Sequence, residues 1–150
     1  MGVLNALVLG VLAVVLGGGL YVRLAPSDPA RWHGPIAPHL RAVAASQDGV
    51  VPLTGRGAAV VRLDGDTGAQ LRHLAAVMDG LPRTHRLAGS EAEGRIPWVS
   101  RSRLWAFPDY TTAEIGTDGL VVHARLRFGR DDLGVNAARL QGVLAGPGRP

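Results

Sequence analysis

The chain has 150 residues, of which 47% are hydrophobic and 19% charged, so it is long enough for one domain with a modest core. Its sixteen basic residues exceed twelve acidic ones but are spread along the chain, whereas a nucleic-acid-binding domain clusters them beside stacking aromatics, so we expect no nucleic-acid partner. The absence of cysteine excludes disulfides, thiol catalysis and cysteine-based metal sites.

The chain begins with a long apolar run. Residues 3–22 carry no charge, and at ~1.5 Å per residue a helix of this length spans ~30 Å, the thickness of a bilayer core. Tyr21 and Arg23 close the run, as is typical of a membrane–water interface. A cleaved signal peptide is the alternative, but no basic residue precedes the run, which favours a retained transmembrane anchor over residues 1–23.

Small residues recur every four positions in this anchor. Gly2, Ala6 and Gly10 lie on one helix face, a pattern that lets another membrane helix pack closely. Glycine and alanine are also abundant in this chain as a whole, so both interpretations stay open. The orientation is open as well, because Arg23 and the arginines after it would place the following residues in the cytoplasm by the positive-inside rule.

A proline-rich segment follows the anchor. Proline fixes φ and removes a backbone donor, so four prolines within residues 24–38 predict an extended tether, which we assign to residues 24–50. His33 and His39 have a poor spacing for a shared ligand, and we expect neither a metal site nor a cofactor.

Residues 51–146 show the patterns of a folded domain. A capping box of Thr67 and Gln70 begins a predicted helix that Gly80 and Pro82 end. A second helix follows Asp131 or Asp132, either of which can cap it. Period-two alternation predicts a strand over residues 120–128, and β-favouring residues predict one over 111–115. Further strands are predicted over residues 57–63, 84–88 and 96–107, the last with its alternation broken by Arg101 and Arg103. The predicted fold is α+β: an N-terminal transmembrane helix and a small two-layer domain, mostly antiparallel sheet with two helices on one face.

Two stretches near the C-terminus, residues 107–112 (FPDYTT) and 123–139 (HARLRFGRDDLGVNAAR), carry a resemblance. They are similar to the hallmark of an uncharacterised family of bacterial and lumenal proteins, domain of unknown function 1499. The chain departs from many members at His123 and Tyr110, and the resemblance implies no known reaction. Many relatives are exported, which implies a periplasmic domain on the inner membrane. The matching residues are Phe107, Asp109, Arg127, Gly129, Asp132, Gly134, Asn136 and Arg139.

These stretches also supply the candidate binding residues. A structural interpretation has Asp132 cap the last helix while its neighbours fix the corner. A binding interpretation makes the arginines and aromatics a surface patch for a protein or an anionic ligand. A catalytic interpretation uses His123 as a base, but no nucleophile elbow, phosphate loop or metal triad accompanies it, so we assign no catalytic residue. The candidates are Trp105, Phe107, Asp109, His123, Arg125, Arg127, Asp132, Asn136 and Arg139.

The combined features predict a membrane-anchored, non-catalytic interaction protein with a protein partner in the membrane, such as an accessory subunit of a larger complex. The alternative is a tethered ligand-binding or hydrolytic domain. That alternative requires one closed corner built from Asp109, His123, Arg127 and Asp132, whereas an exposed Trp105 favours the interaction protein.

Overall fold

One antiparallel sheet organises the domain that follows the apolar helix. The computed structural model describes residues 2–53, 57–103 and 105–146. The elements in chain order are α1 (Val3–Leu24), α2 (Pro29–Trp32), α3 (Pro38–Ser46), β1 (Val51–Leu53), β2 (Ala58–Leu63), α4 (Thr67–Gly80), β3 (Thr84–Arg86), β4 (Arg95–Arg101), β5 (Pro108–Gly116), β6 (Gly119–Leu126) and α5 (Val135–Ala145). The strand order is β1-β2-β6-β5-β4-β3, and every neighbouring pair is antiparallel, which confirms the predicted α+β class.

The first helix, α1, has no buried residue along its 22 positions. Its mean hydropathy reaches 2.3, and it is long and apolar enough to cross a membrane by length and composition. An N-terminal signal sequence has the same properties, so the predicted anchor remains a prediction. A helix that is apolar all round and buries no residue against its own chain is suited to lipid.

Helices α4 and α5 cover one face of the sheet, as the apolar stripes predict. Leu71, Leu74 and Met78 of α4 and Leu140 of α5 are almost completely buried against it. The indole N–H of Trp98 donates to Asp79 Oδ1 over 2.7 Å, which joins α4 to the sheet. The start of α4 differs in detail from the prediction, because the cap is Asp66, whose Oδ1 accepts the N–H of Ala69 over 2.9 Å.

The opposite face is covered by the segment predicted as an extended tether. Residues 25–46 instead form α2 and α3 and pack on the sheet. Ile36 and Ala44 are buried in a cluster with β1, β2 and β6, and Trp32 is buried against β4 and β5. Two of the prolines, Pro29 and Pro38, occupy the first helical position, where a missing N–H costs nothing, so they begin helices rather than prevent them.

A buried carboxylate holds this covering segment on the sheet. Glu114 Oε2 accepts the N–H of Ile36 over 2.6 Å and lies 3.2 Å from Arg41 Nη2, while Oε1 accepts a hydrogen bond from Arg95 over 2.6 Å. Burial alone would favour the protonated acid, but these three donors hold the pKa of Glu114 below its ordinary value. The ionised side chain therefore connects β4, β5, α3 and the segment before it.

We predict that Glu114→Gln loosens the covering segment. The substitution removes the carboxylate charge that Arg41 and Arg95 share. It should lower the free energy of unfolding by as much as about 3 kcal/mol, which is the low end of the loss for a buried ion pair. We expect the low end because both guanidinium groups are partly exposed. Thermal unfolding of the detergent-solubilised chain measures the loss, and limited proteolysis should cut within residues 25–46. The matched control is Glu93→Gln, which alters an exposed acid paired with His33. Equal effects from the two variants would contradict the role of Glu114.

Candidate functional site

Most of the predicted site residues lie at one end of the sheet. At this end β4 and β6 end and β3 and β5 begin. The pairing of Arg101 with Pro108 and of Asp109 with Leu126 places these strand ends side by side. We call this end the helix-proximal edge. It consists of the described connecting residues 81–83, 102–103, 105–107 and 127–134.

Two arginines at this edge bind the chain where it leaves α1. Arg101 Nη1 donates to the carbonyl oxygen of Arg23 over 3.0 Å, and Nη2 to that of Ala25 over 3.4 Å. Arg127 Nη1 donates to the carbonyl oxygen of Pro26 over 2.7 Å. The last carbonyls of a helix lack partners within the helix and carry partial negative charge, so a guanidinium group is well suited to them. Hydrogen bonds therefore connect the domain to the end of α1, in addition to the covalent chain.

Arg125 is the second predicted patch arginine, and it is covered rather than free. The Trp32 ring stacks on Tyr110 with a centroid distance of 3.5 Å and an angle of 6°. The Arg125 guanidinium lies over the Trp32 ring, 5.0 Å from its centroid. Arg125 and Arg127 are thus each partly covered, by Trp32 and by the chain at Pro26 respectively, and the predicted surface patch stays a prediction.

His123 lies next to this stack as a neutral imidazole. Its Nδ1 accepts a hydrogen bond from Arg125 Nη1 over 2.9 Å. Burial, together with the charges of Arg125 and His39, lowers the pKa of His123 to about 3. A histidine with so low a pKa is a poor general base at neutral pH.

The corner before α5 forms a continuous hydrogen-bonded chain. Asp132 accepts the N–H groups of Gly134 over 3.1 Å and Asn136 over 2.7 Å, so it satisfies a free N–H in the first turn of α5, although the N-cap position itself is Gly134. Asn136 is completely buried, and its Nδ2 donates to the carbonyl oxygen of Gly57 over 2.9 Å. Arg139 links the two ends of this chain: its Nη1 donates to Asn136 Oδ1 over 2.8 Å and its Nη2 to Asp109 Oδ2 over 3.2 Å. Burial raises the pKa of Asp109 although Arg139 opposes the shift.

This chain of contacts needs a glycine at residue 57. Gly57 has a φ of +50°, and a Cβ there would overlap the side chain of Leu126 and lie 3.0 Å from the backbone nitrogen of Asp132. The close approach lets the Gly57 carbonyl accept hydrogen bonds from both Leu126 N and Asn136 Nδ2. Asp132, Asn136, Arg139 and Asp109 thus fix α5 to β2 and β5, which is the structural interpretation of the corner.

The sheet separates the residues of the predicted catalytic corner. Tyr110 and His123 face α2 and α3, whereas Asp109, the neighbour of Tyr110 in β5, faces α5, because successive strand residues point to opposite faces. Asp109 and Asp132 therefore cannot orient His123, and the single corner of Asp109, His123, Arg127 and Asp132 does not form. Within the part of the chain that the structure describes, no three His, Asp or Glu side chains are grouped as a metal site.

Trp105 and Phe107 remain exposed, at 54% and 40% of their surface. They lie in a tight connection closed by hydrogen bonds of Ser102 N to Phe107 O and of Phe107 N to Ser102 Oγ, which ends the predicted strand over residues 96–107 at Arg101. The sequence periodicity places Leu133 first in the apolar stripe of the last helix, but Leu133 precedes α5 and is 94% exposed at the same edge. A leucine between aspartate and glycine in a turn is the signal that could have identified it.

The predicted helix-packing residues lie on an open face of α1. A groove of about 560 Å³ runs along this face, and its lining includes Ala6 and Gly10. At 100° per residue the row of small side chains continues through Ala13 and Gly17, two positions that sequence reasoning missed. A row of small, uncharged residues of this kind lets a second membrane helix pack closely against the backbone.

We predict that Asn136→Ala destabilises the domain more than its place in a helix indicates. A solvent-facing asparagine would cost less than Asp132, but the buried Asn136 loses two hydrogen bonds, so we expect a loss of about 1–3 kcal/mol. Asp132→Ala should cost about 0.5–2 kcal/mol through the lost cap. Denaturant unfolding compares both with Asp131→Ala, an exposed control that accepts only the N–H of Leu133. An Asn136→Ala variant as stable as this control would contradict the network.

Comparison with known proteins places the motif residues within a family. The model of a protein family matches residues 39–145, a span that begins in α3, ahead of the predicted domain boundary at residue 51. No curated protein matches the chain. The match covers all six strands and both α4 and α5. The chain belongs to the family described as protein of unknown function DUF1499.

Proposed function

We propose that the chain is a single-pass membrane protein with a non-catalytic interaction domain, such as an accessory subunit of a larger membrane complex. The observation that carries this proposal is the binding of Arg101 and Arg127 to the carbonyls of Arg23, Ala25 and Pro26. Such contacts hold the domain in one pose relative to α1. A fixed pose suits a module that presents one surface to a membrane partner, and a substrate-capturing domain on a flexible tether does not need it.

The state of the charged motif residues supports a non-catalytic role. Asp132, Asn136, Arg139 and Asp109 are bonded to one another or to the backbone, and His123 is held neutral by burial beside Arg125. An acid–base catalyst needs two titratable groups that face the same reacting atoms. The hydrolytic alternative placed His123 with Asp109, and these two residues lie on opposite faces of the sheet.

The small-residue face of α1 supports a partner within the membrane. The backbone of α1 is accessible along one face, which consists of Gly2, Ala6, Gly10, Ala13 and Gly17. In membrane proteins such faces pack against a second helix. We place the domain on the periplasmic side of the inner membrane, as the family resemblance implies. The arginines that follow the span oppose this orientation by the positive-inside rule.

Co-purification tests the proposal. We predict that the purified chain retains its N-terminus and that gentle extraction of native membranes yields stable partner proteins. Ala6→Leu combined with Gly10→Leu places bulk in the groove and should remove most of the partner, since close backbone approach is lost. Mass spectrometry of the co-purified proteins measures the loss.

The matched control is Val8→Leu combined with Gly19→Leu, which adds bulk to the opposite side of α1, where a Cβ at residue 19 meets nothing within 4 Å. This control should keep the partner. A chain that begins beyond Gly19, a wild-type chain that runs alone, or equal losses in both double variants would contradict the proposal.

A further inference from the structure

We propose that the helix-proximal edge docks in the headgroup layer of the bilayer, with the side chains of Trp105, Phe107 and Leu133 inserted among the lipids. The occupant of this surface is thus a lipid membrane rather than a second protein. The inference rests on the proposed membrane-spanning role of α1 and adds a second, peripheral membrane contact to it.

The first observation is where the exposed apolar surface lies. Outside α1, the large hydrophobic side chains that are exposed among the described residues all lie at or beside this edge. They are Trp105 at 54%, Phe107 at 40%, Leu133 at 94% and Val135 at 50% exposure. Apolar residues scattered singly over a surface are ordinary, whereas a group gathered at one end marks a contact surface.

The second observation is the depth of this edge along α1. The Phe128 ring contacts the Tyr21 ring edge-on, with centroids 6.1 Å apart. Tyr21 lies in the last turn of α1, where a spanning helix reaches the lipid headgroups and where tyrosine and tryptophan collect. The connection between β6 and α5 therefore lies at the level of the membrane–water interface when α1 spans the bilayer.

The third observation is backbone strain beside the exposed side chains. Ala106, between Trp105 and Phe107, has a φ of +54°, and Leu133 has a φ of +52°. Residues with a Cβ rarely adopt this left-handed region, and such strain is retained where it serves function rather than stability. Here it coincides with the turns that direct apolar side chains away from the domain.

The fourth observation is charge. Arg83, Arg103 and Arg130 are exposed at this edge, and Asp131 is the exposed acid among its described residues. A basic rim around apolar side chains is complementary to anionic headgroups, with the apolar side chains seated between the acyl chains. A protein partner on α1 can lie beside this surface without covering it.

Site-directed spin labelling of the full chain tests the docking. Because the chain has no cysteine, Leu133→Cys and Val135→Cys each provide one labelling site at the edge. Thr117→Cys, in the exposed turn between β5 and β6 at the other end of the sheet, is the water-facing control, and Leu12→Cys marks the middle of α1. Each protein is reconstituted into vesicles of phosphatidylcholine and phosphatidylglycerol. Collision with oxygen reports lipid, and collision with a nickel chelate reports water.

We expect the labels at residues 12, 133 and 135 to show an oxygen-to-nickel ratio severalfold above that at residue 117. Trp105→Ser combined with Phe107→Ser should shift the residue 135 label toward water and leave the residue 12 label unchanged. A residue 12 label in lipid with residues 133 and 135 in water overturns the docking and leaves the anchor standing. A residue 12 label in water overturns the proposed anchor and the docking with it. A residue 133 label that becomes shielded from both reagents when co-purified partner proteins are reconstituted with the chain shows a protein cover and also overturns the docking.

Discussion

The contacts of two guanidinium groups with backbone carbonyls determine how this molecule is arranged. Arg101 and Arg127, at the ends of β4 and β6, donate to the carbonyls of Arg23, Ala25 and Pro26. Carbonyls at a helix C-terminus have no partner of their own, so these bonds satisfy groups that would otherwise need water. Because both arginines extend from a rigid sheet, the direction in which α1 leaves the domain is set by the sheet.

The path of the covering segment, residues 25–46, depends on the direction in which the chain leaves α1. After Pro26 the chain crosses the sheet, where Tyr110 Oη shares a hydrogen bond with Ser27 Oγ over 2.8 Å and accepts one from Arg127 Nη1 over 3.1 Å. Trp32 then stacks on the Tyr110 ring, and Glu114 binds the backbone at Ile36. Tyr110 and His123 both lie on the sheet face that this segment covers.

The amino-acid pattern predicted the elements whose contacts are local in sequence. The hairpin of β5 and β6 and the stripes of α4 and α5 followed from periodicity. The pattern did not predict the fold of residues 25–46, since prolines at helix starts and prolines in a tether look alike. It also did not predict the burial of Asn136, because its partner Gly57 lies 79 positions away and no local signal marks the pairing. The proposed docking surface combines Trp105 and Leu133, whose connections the strand register brings to the same end of the sheet.

The pose of the domain on α1 is the central claim, and a distance measurement tests it most directly. Spin labels at Leu16→Cys in α1 and Thr117→Cys in the β5–β6 turn are both exposed, and double electron–electron resonance in vesicles reports the distribution of distances between them. A fixed pose predicts one narrow distribution, which Arg101→Gln with Arg127→Gln should broaden while the sheet remains folded by circular dichroism. A broad distribution in the chain that retains both arginines would contradict the account.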